Sequence, residues 1–127
     1  MRVSHLDHLV LTVKNIEITV DFYERVLGMK PIQFGEGRWA LSLGYQKINL
    51  HQQGKELEPK AKHVQAGSTN LNFCFITNTP IDEVSDHITG QGVIIEEGPA
   101  ERTGAVDKIT SIYLRVPDGN LIEVSNY

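Results

Sequence analysis

The chain carries the same order of elements twice. Residues 5–13, with alternating apolar side chains, and the helix-like segment 16–28 are echoed by residues 70–77 and 81–92. Further strand-like runs follow each helix, so each half reads as a strand, a helix and three strands. Internal repetition of this length constrains the architecture more than any single motif, because both copies must form the same supersecondary unit. A doubled unit of this kind is expected to build one site between its halves.

The length of the chain limits how these halves can be stable. At 127 residues the protein has the size of one ordinary domain, and a half of roughly 60 residues buries only a marginal core by itself. We therefore expect a single domain, 1–127, made of a module at 1–51 and a module at 69–127, joined by a linker at 52–68. The modules must pack together or exchange between chains.

Charge and cysteine content narrow the possible partners. The net charge is −4 and the basic residues are scattered, which argues against nucleic acid as a partner because no cluster could neutralise a phosphate backbone. The single cysteine, Cys74, fits a reducing compartment, and we assign it to a pocket wall because no neighbouring base is indicated. No run of residues has the pattern of an export signal or the length of a membrane span. A soluble cytoplasmic protein is expected.

The predicted elements follow from periodicity and from capping residues. Residues 4–13 alternate as a strand does, and a helix is predicted over 16–27, with Asn15 as its N-cap and Gly28 as its stop. The remaining predicted elements are strands near 29–35, 37–43, 46–51, 70–77, 93–97, 109–116 and 120–126, and a helix near 80–89. The segment 117–120, Pro-Asp-Gly-Asn, has the composition of a hairpin turn.

Candidate site residues follow from the alternation of side chains along each strand. Apolar positions such as Leu9 and Leu11 are assigned to the helix side, so the polar residues between them share the opposite face. These polar residues are His8, Asn49, His51, Asn72 and Glu123. Imidazole and carboxylate groups on rigid strands suit a divalent metal that keeps positions open for water or substrate. The alternative is a set of ordinary polar residues on a solvated sheet face, but their recurrence at repeat-related positions favours a ligand set.

Several segments resemble one known superfamily. Residues 6–13, 21–23, 26–29 and 117–124 are similar to the vicinal oxygen chelate superfamily, which includes glyoxalase I, extradiol dioxygenases, fosfomycin and bleomycin resistance proteins and methylmalonyl-CoA epimerase. The likeness covers nearly the whole chain. It is closest to the group called glyoxalase domain-containing protein 5 and to bacterial virulence-associated relatives, through residues 47–51, 54–56, 58–61, 96–99, 102–105 and 122–127.

The resemblance implies an α+β fold and a metal site. Two βαβββ modules would form a cupped mixed sheet with the helices on its convex side and the metal in the cup, usually in a homodimer. By position, His8 and Glu123 match metal ligands of the family. Asn49 stands where glyoxalase I has a carboxylate, and Asn72 stands where relatives have a second histidine. Because an amide is a poorer ligand than imidazole, we expect His51 to complete the set around one zinc, nickel, manganese or iron ion; the alternative is that His51 lines the pocket as a hydrogen-bond donor.

The resemblance also predicts residues that contact the substrate. Ser111 and Tyr113 occupy positions that line the pocket in similar fosfomycin enzymes, and Trp39 is the repeat mate of Tyr113. Arg102 lies in a glycine-bounded segment, 98–104, which is predicted to be a loop over the cup. Its guanidinium could clamp a carboxylate or phosphate of the substrate, or it could be a solvated loop side chain.

Two classes of function remain open. The first is a metal-dependent lyase or isomerase of glyoxalase type, acting on a small α-oxocarbonyl compound or its thiol adduct, with Glu123 also taking part in catalysis. A ring-cleaving dioxygenase would share the same histidine and glutamate ligands. The second class is a non-catalytic protein that sequesters a small molecule, as bleomycin resistance proteins do. Retention of both His8 and Glu123 favours an enzyme.

Overall fold

The computed structural model describes residues 1–67 and 72–127. Within them the chain forms eight strands and two helices. In chain order these elements are β1 (His8–Val13), α1 (Ile16–Leu27), β2 (Lys30–Phe34), β3 (Arg38–Leu43), β4 (Gln46–Gln52), β5 (Asn72–Ile76), α2 (Ile81–Gly90), β6 (Glu97–Thr103), β7 (Lys108–Arg115) and β8 (Leu121–Asn126).

The chain divides into two compact units with the same topology. The first unit is Met1–Gly67 and the second is Ser68–Tyr127. The first unit contains a sheet of order β1-β4-β3-β2, and the second a sheet of order β5-β8-β7-β6. In each sheet the first strand pairs in parallel with the last, and the other pairs are antiparallel. The predicted α+β class with two βαβββ modules is therefore confirmed.

Helix α1 begins and ends where the sequence predicts. The side chain of Asn15 accepts a hydrogen bond of 2.9 Å from the backbone N–H of Ile18, which satisfies one of the unpaired amides of the first turn. Gly28 ends the helix with a positive φ of 67°, a conformation that costs glycine little. Neither α1 nor α2, the helices of the described residues, is long and apolar enough to cross a membrane.

Each unit has its own apolar core between its sheet and its helix. In the first unit, the helix-side residues of the sheet are buried, among them Leu11, Val13, Leu41, Ile48 and Leu50. In the second unit, the corresponding buried residues include Ile112, Leu114, Ile122 and Val124, together with Val84 and Ile88 of α2. Burial of each such side chain stabilises the fold by about 1.5–3 kcal/mol. The polar positions between them are left for the opposite face of each sheet.

Two predicted strands differ from the structure. β1 begins at His8 rather than at residue 4, because its parallel partner β4 starts at Gln46 and offers its first register position, Lys47, opposite His8. The strand predicted at 93–97 is wrong, since these residues lead into β6, which begins at Glu97. The first two residues of the strand predicted at 70–77 lie outside the described residues.

The turn predicted at 117–120 is confirmed. It joins the antiparallel strands β7 and β8. The backbone N–H of Gly119 donates a 2.8 Å hydrogen bond to the carbonyl of Val116, and the N–H of Val116 donates to the carbonyl of Asn120 at 3.2 Å. Gly119 has a φ of 87°, which this closure needs and which glycine adopts without steric penalty.

Candidate functional site

In the first unit, three candidate residues lie on the sheet face opposite the helix, as predicted. The register pairs His8 with Lys47, Val10 with Asn49 and Thr12 with His51. Cross-strand partners point to the same face, so His8, Asn49 and His51 share the face opposite Leu11 and the other core residues. The register of β1 and β4 therefore agrees with the predicted face of these three residues.

The imidazole of His8 is oriented by its chain neighbour. The Nδ1 atom of His8 donates a 2.7 Å hydrogen bond to the carboxylate of Asp7. This bond, ahead of smaller charge effects from His8, His5 and Lys47, holds the pKa of Asp7 below its ordinary value. A carboxylate on one ring nitrogen fixes the tautomer and turns the Nε2 atom outward as a potential metal ligand. Asp7 is not among the residues predicted from the sequence, although an acidic residue beside a ligand histidine is the signal for such a pair.

The register separates His8 from His51. His51 lies level with Thr12, four residues beyond His8 along the paired strands. The backbones of His8 and His51 are therefore about 13 Å apart along the strand direction. Two nitrogen ligands of one ion lie within about 4 Å of each other, because each metal–nitrogen bond is about 2.1 Å long. This register speaks against His51 as a partner of His8 at one ion.

Asn49 is closer to His8 and carries an unsatisfied polar atom. It lies two residues beyond the level of His8, and only 5% of its surface is exposed. Its Oδ1 atom has no hydrogen-bond partner among the described residues. A buried acceptor without a donor costs free energy. This oxygen is therefore suited to accept a hydrogen bond from a bound molecule or to bind a metal ion.

Trp39 lies on the other face, and the prediction that it lines the site is wrong. The register pairs Trp39 with Leu50 and pairs Ala40 with Asn49. Trp39 therefore shares the helix-side face with Leu50, because neighbouring residues of a strand point to opposite faces. Ala40 is the residue of β3 that stands beside Asn49.

In the second unit, Glu123 is held by buried serines. The hydroxyl of Ser111 donates a 2.6 Å hydrogen bond to Oε1 of Glu123, and it lies 2.7 Å from the hydroxyl of Ser125. Both serines are fully buried. The expectation that Ser111 contacts a substrate therefore needs correction: its hydroxyl orients the carboxylate of Glu123. Ser125, the cross-strand partner of Ser111, was not predicted and lies on the same face.

Cys74, rather than Asn72, stands directly beside Glu123. The register pairs Cys74 with Glu123 and Asn72 with Leu121. The Sγ atom of Cys74 lies 3.5 Å from the hydroxyl of Ser125, and burial is the main cause that raises the pKa of this thiol. Cys74 thus lines the face as a neutral thiol. Asn72 is exposed and two residues away from Glu123 along the strands.

Arg102 and Tyr113 form a pair on the same face. Arg102 donates through Nε to the hydroxyl of Tyr113 at 3.1 Å, and through a terminal nitrogen to Glu97 at 3.0 Å. The prediction of a loop around Arg102 is wrong, because this segment is β6, paired with β7. Burial, ahead of opposing effects from Arg102, raises the pKa of Tyr113. Tyr113 is the cross-strand partner of Glu123, so the phenol and guanidinium adjoin the proposed metal ligand.

A pocket in the second unit opens beside this pair. Its volume is about 390 Å³. It is lined by Glu96, Glu97, Arg102, Tyr113, Arg115 and Leu121. Each arginine is already paired, Arg102 with Glu97 and Arg115 with Glu96. A substrate group would have to compete with these carboxylates for either guanidinium.

The two units place their candidate residues in equivalent positions. Asn49 lies on the last strand of the first sheet two residues beyond the level of His8, and Glu123 has the same relation to Asn72. One unit thus supplies an imidazole with an amide, and the other an amide with a carboxylate. Within residues 1–67 and 72–127, no three His, Cys, Asp or Glu side chains lie close enough together to hold a metal ion.

Comparison with known proteins agrees with this architecture. Residues 5–124 match the family described as the Glyoxalase/Bleomycin resistance protein/Dioxygenase superfamily. Virulence protein STM3117 of Salmonella typhimurium is 55% identical over 127 residues, which cover the whole chain and 87% of that protein. Glyoxalase domain-containing protein RDO1 of Mycosarcoma maydis is 53% identical over the whole chain and 70% of its own length. The predicted likeness to virulence-associated relatives is confirmed, and the likeness to glyoxalase domain-containing protein 5 stays a prediction.

A solved structure shows the same fold. An integron cassette protein from V. cholerae is 60% identical in sequence and superposes with a TM-score of 0.96. The superposition covers 100% of this chain and 98% of that protein.

Proposed function

Because the chain belongs to the glyoxalase/bleomycin resistance protein/dioxygenase superfamily, we propose that it is a divalent-metal-dependent enzyme of glyoxalase type. It would act as a lyase or isomerase on a small α-oxocarbonyl compound or its thiol adduct. We propose His8 and Glu123 as ligands of one zinc, nickel, manganese or iron ion, and a cytoplasmic homodimer as the working form.

One observation supports this proposal above the others. Both proposed ligands are already oriented by a neighbouring side chain, His8 by Asp7 and Glu123 by Ser111. Protein metal sites commonly show such outer contacts, because they fix the ligand atoms and raise ligand basicity. In each case the neighbour binds one polar atom of the proposed ligand, Nδ1 of His8 or Oε1 of Glu123. The residues thus fit a divalent metal by donor type and by orientation.

The chemistry divides between the metal and the chain. A bound divalent ion would polarise the paired oxygen atoms of the substrate and so acidify the adjacent C–H group. Glu123 would accept the released proton on its carboxylate and return it to the adjacent carbon, which completes an isomerisation, while Ser111 keeps that carboxylate in one orientation. Tyr113 and Arg102 would face the substrate, with the phenol kept protonated by its raised pKa and able to donate a hydrogen bond to a substrate oxygen.

A non-catalytic binding protein is the second candidate. It is favoured by the amides Asn49 and Asn72 at positions where relatives place ligands, and by the lack of a three-residue ligand cluster among the described residues. A protein of this kind would hold a small molecule without retaining a metal. A ring-cleaving dioxygenase is a variant of the first proposal, since it would use the same His8 and Glu123.

The experiment that separates these functions starts with metal analysis. Protein purified without a chelator or a histidine tag should contain about one divalent ion per chain. It should isomerise the hemithioacetal of a small 2-oxoaldehyde and a thiol, and Glu123→Gln should abolish turnover while leaving the fold intact by circular dichroism. Cleavage of a catechol with consumption of oxygen would favour the dioxygenase. A metal-free protein that binds small molecules without turnover would support the second candidate, a non-catalytic binding protein.

A further inference from the structure

We propose that Arg38 and Lys47 form a binding site for the anionic group, a carboxylate or a phosphate, of the small molecule that this protein takes. The inference rests on the proposed function only in assuming a small-molecule ligand, because anion binding can be measured without any reaction. The site lies entirely within the first unit, on the sheet face that carries His8.

Both cations of the site lie against one aromatic ring. The Cζ atom of Arg38 is 4.6 Å from the centroid of the Phe34 ring, and the Nζ atom of Lys47 is 4.2 Å from it. Arg38 is the cross-strand partner of Phe34, so the side chains meet on one face. The ring attracts each cation, but two like charges near one ring repel each other. An anion bound by these cations would offset that repulsion.

Neither cation forms an ion pair within 4 Å in the described parts of the chain, and the nearest charge effect is that of Lys47 on the exposed carboxylate of Asp7. The ion pairs formed there involve other residues. Strands β1 to β4 contain no Asp or Glu, and Lys30, His8 and His51 add basic groups to this face; the carboxylate of Asp7, directly before β1, is bound by His8. The second unit differs, because its arginines Arg102 and Arg115 are neutralised by glutamates. The first unit therefore keeps its positive charge available for a ligand.

Only the backbone of Lys47 lies beside the proposed metal histidine. Lys47 is the cross-strand partner of His8, so their Cα atoms are about 4.8 Å apart. Asn49 lies two residues further along the same strand and face, with its buried Oδ1 unsatisfied. Because the ammonium of Lys47 lies 4.2 Å from the centroid of the Phe34 ring, and Phe34 and Arg38 pair two residues beyond the level of Asn49, an anionic group held there would bring the rest of the molecule over Asn49. A hydroxyl or N–H group of the ligand could then donate to the Asn49 oxygen.

The residue types specify an oxyanion. A guanidinium presents parallel N–H groups that match two oxygens of a carboxylate or phosphate, and an ammonium adds a compact charge. The Phe34 ring and Ala40 on this face are apolar, and Ser42, the cross-strand partner of Lys47, adds a hydroxyl. Phosphate and carboxylate share this chemistry, so both are needed as probes.

The test measures anion binding to the full chain by isothermal titration and by amide chemical shifts. Inorganic phosphate and acetate are titrated separately, into protein as purified and into protein treated with a chelator. The variants are Arg38→Gln and Lys47→Gln, and Lys55→Gln is the charge-matched control because Lys55 lies outside the sheet. Lys47→Arg tests whether the charge suffices. Circular dichroism verifies that each variant is folded.

We expect the wild type and Lys55→Gln to bind at least one of the two anions, phosphate or acetate, with equal affinity. Arg38→Gln and Lys47→Gln should bind that anion about tenfold more weakly or worse. Lys47→Arg should retain most of the affinity. Chelation should not change the binding, which separates this site from the proposed metal function. Absence of binding to the wild type, equal binding by all variants, or loss of binding on chelation would each overturn the proposal.

Discussion

The hydroxyl of Ser111 donates to one carboxylate oxygen of Glu123 over 2.6 Å and lies 2.7 Å from the hydroxyl of Ser125. Because Ser111 has a single proton to donate and the carboxylate takes it, Ser125 donates to the oxygen of Ser111. This short chain of hydrogen bonds is buried, and it directs the orientation of Glu123. A ligand carboxylate that is fixed in this way loses little conformational freedom when it binds an ion.

Loss of the hydrogen bond from Ser111 to Glu123 should weaken metal binding. Ser111→Ala should weaken divalent-metal affinity about 10- to 100-fold, the range typical of lost outer contacts to a metal ligand, because Glu123 would lose its orienting donor. The affinity is measured by titration with zinc or nickel in one buffer. Ser85→Ala is the matched control, since that serine bonds the carbonyl of Ile81 within α2. Equal metal affinity of Ser111→Ala and the wild type would contradict the orienting role.

Removal of the Asp7 carboxylate should loosen His8. Asp7→Ala takes away the acceptor of the Nδ1 hydrogen bond, so the ring would sample both tautomers and other rotamers. Because Asp7 is exposed, we expect a modest effect, up to about tenfold in metal affinity. Asp86→Ala, an acidic residue on α2, serves as the control in the same titration. A variant that binds as tightly as the control would show that Asp7 does not orient His8.

The N-cap of α1 gives a prediction about stability alone. Asn15→Ala should lower the free energy of unfolding by about 1 kcal/mol, because the backbone N–H of Ile18 loses its partner. Asn15→Asp keeps an accepting oxygen and should stay within a few tenths of a kcal/mol of the wild type. Urea unfolding monitored by circular dichroism provides the comparison. If both variants lose the same stability, the cap contributes through something other than this hydrogen bond.

Gly98 is predicted to be intolerant of any side chain. It has a φ of 102°, and a Cβ at this position would collide with the carbonyl oxygen of Ser111 and approach the Cα of Ile112 to 3.0 Å. Gly98→Ala should therefore cost about 3 kcal/mol, combining backbone strain with a clash. Gly92→Ala, with a φ of 77° and no atom within 4 Å, isolates the strain and should cost about 1–2 kcal/mol. Equal unfolding midpoints would contradict the clash.

Local signals in the sequence were sufficient to predict the repeat, the two helices and the buried face of most strands. Asn15 and Gly28 fix the ends of α1 through side-chain and backbone geometry that neighbouring residues alone determine. The alternation of apolar residues placed Asn49 and Glu123 correctly, because a strand that packs on a helix must bury every second side chain.

The register between neighbouring strands could not be predicted from such local signals. Trp39 and Tyr113 are related by the same offset along the chain as Asn49 and Glu123, but the hairpins that precede β4 and β8 differ in length. Leu43 pairs with Gln46 across a two-residue turn, whereas Arg115 pairs with Leu121 across a longer one. A shift of one residue turns every side chain to the opposite face. The partners of Arg102 likewise depend on the pairing of β6 with β7, which no local pattern encodes.

The most direct test of the account is metal binding by His8→Ala, Glu123→Gln, the double variant and His51→Ala, measured with zinc or nickel under identical conditions. If His8 and Glu123 bind the same ion, each single variant should lose most of the affinity and the double variant should lose little more, because the effects of two ligands of one site are not additive. His51→Ala should bind about as the wild type does. Wild-type protein without metal affinity, additive losses in the double variant, or a loss in His51→Ala as large as in His8→Ala would contradict the account.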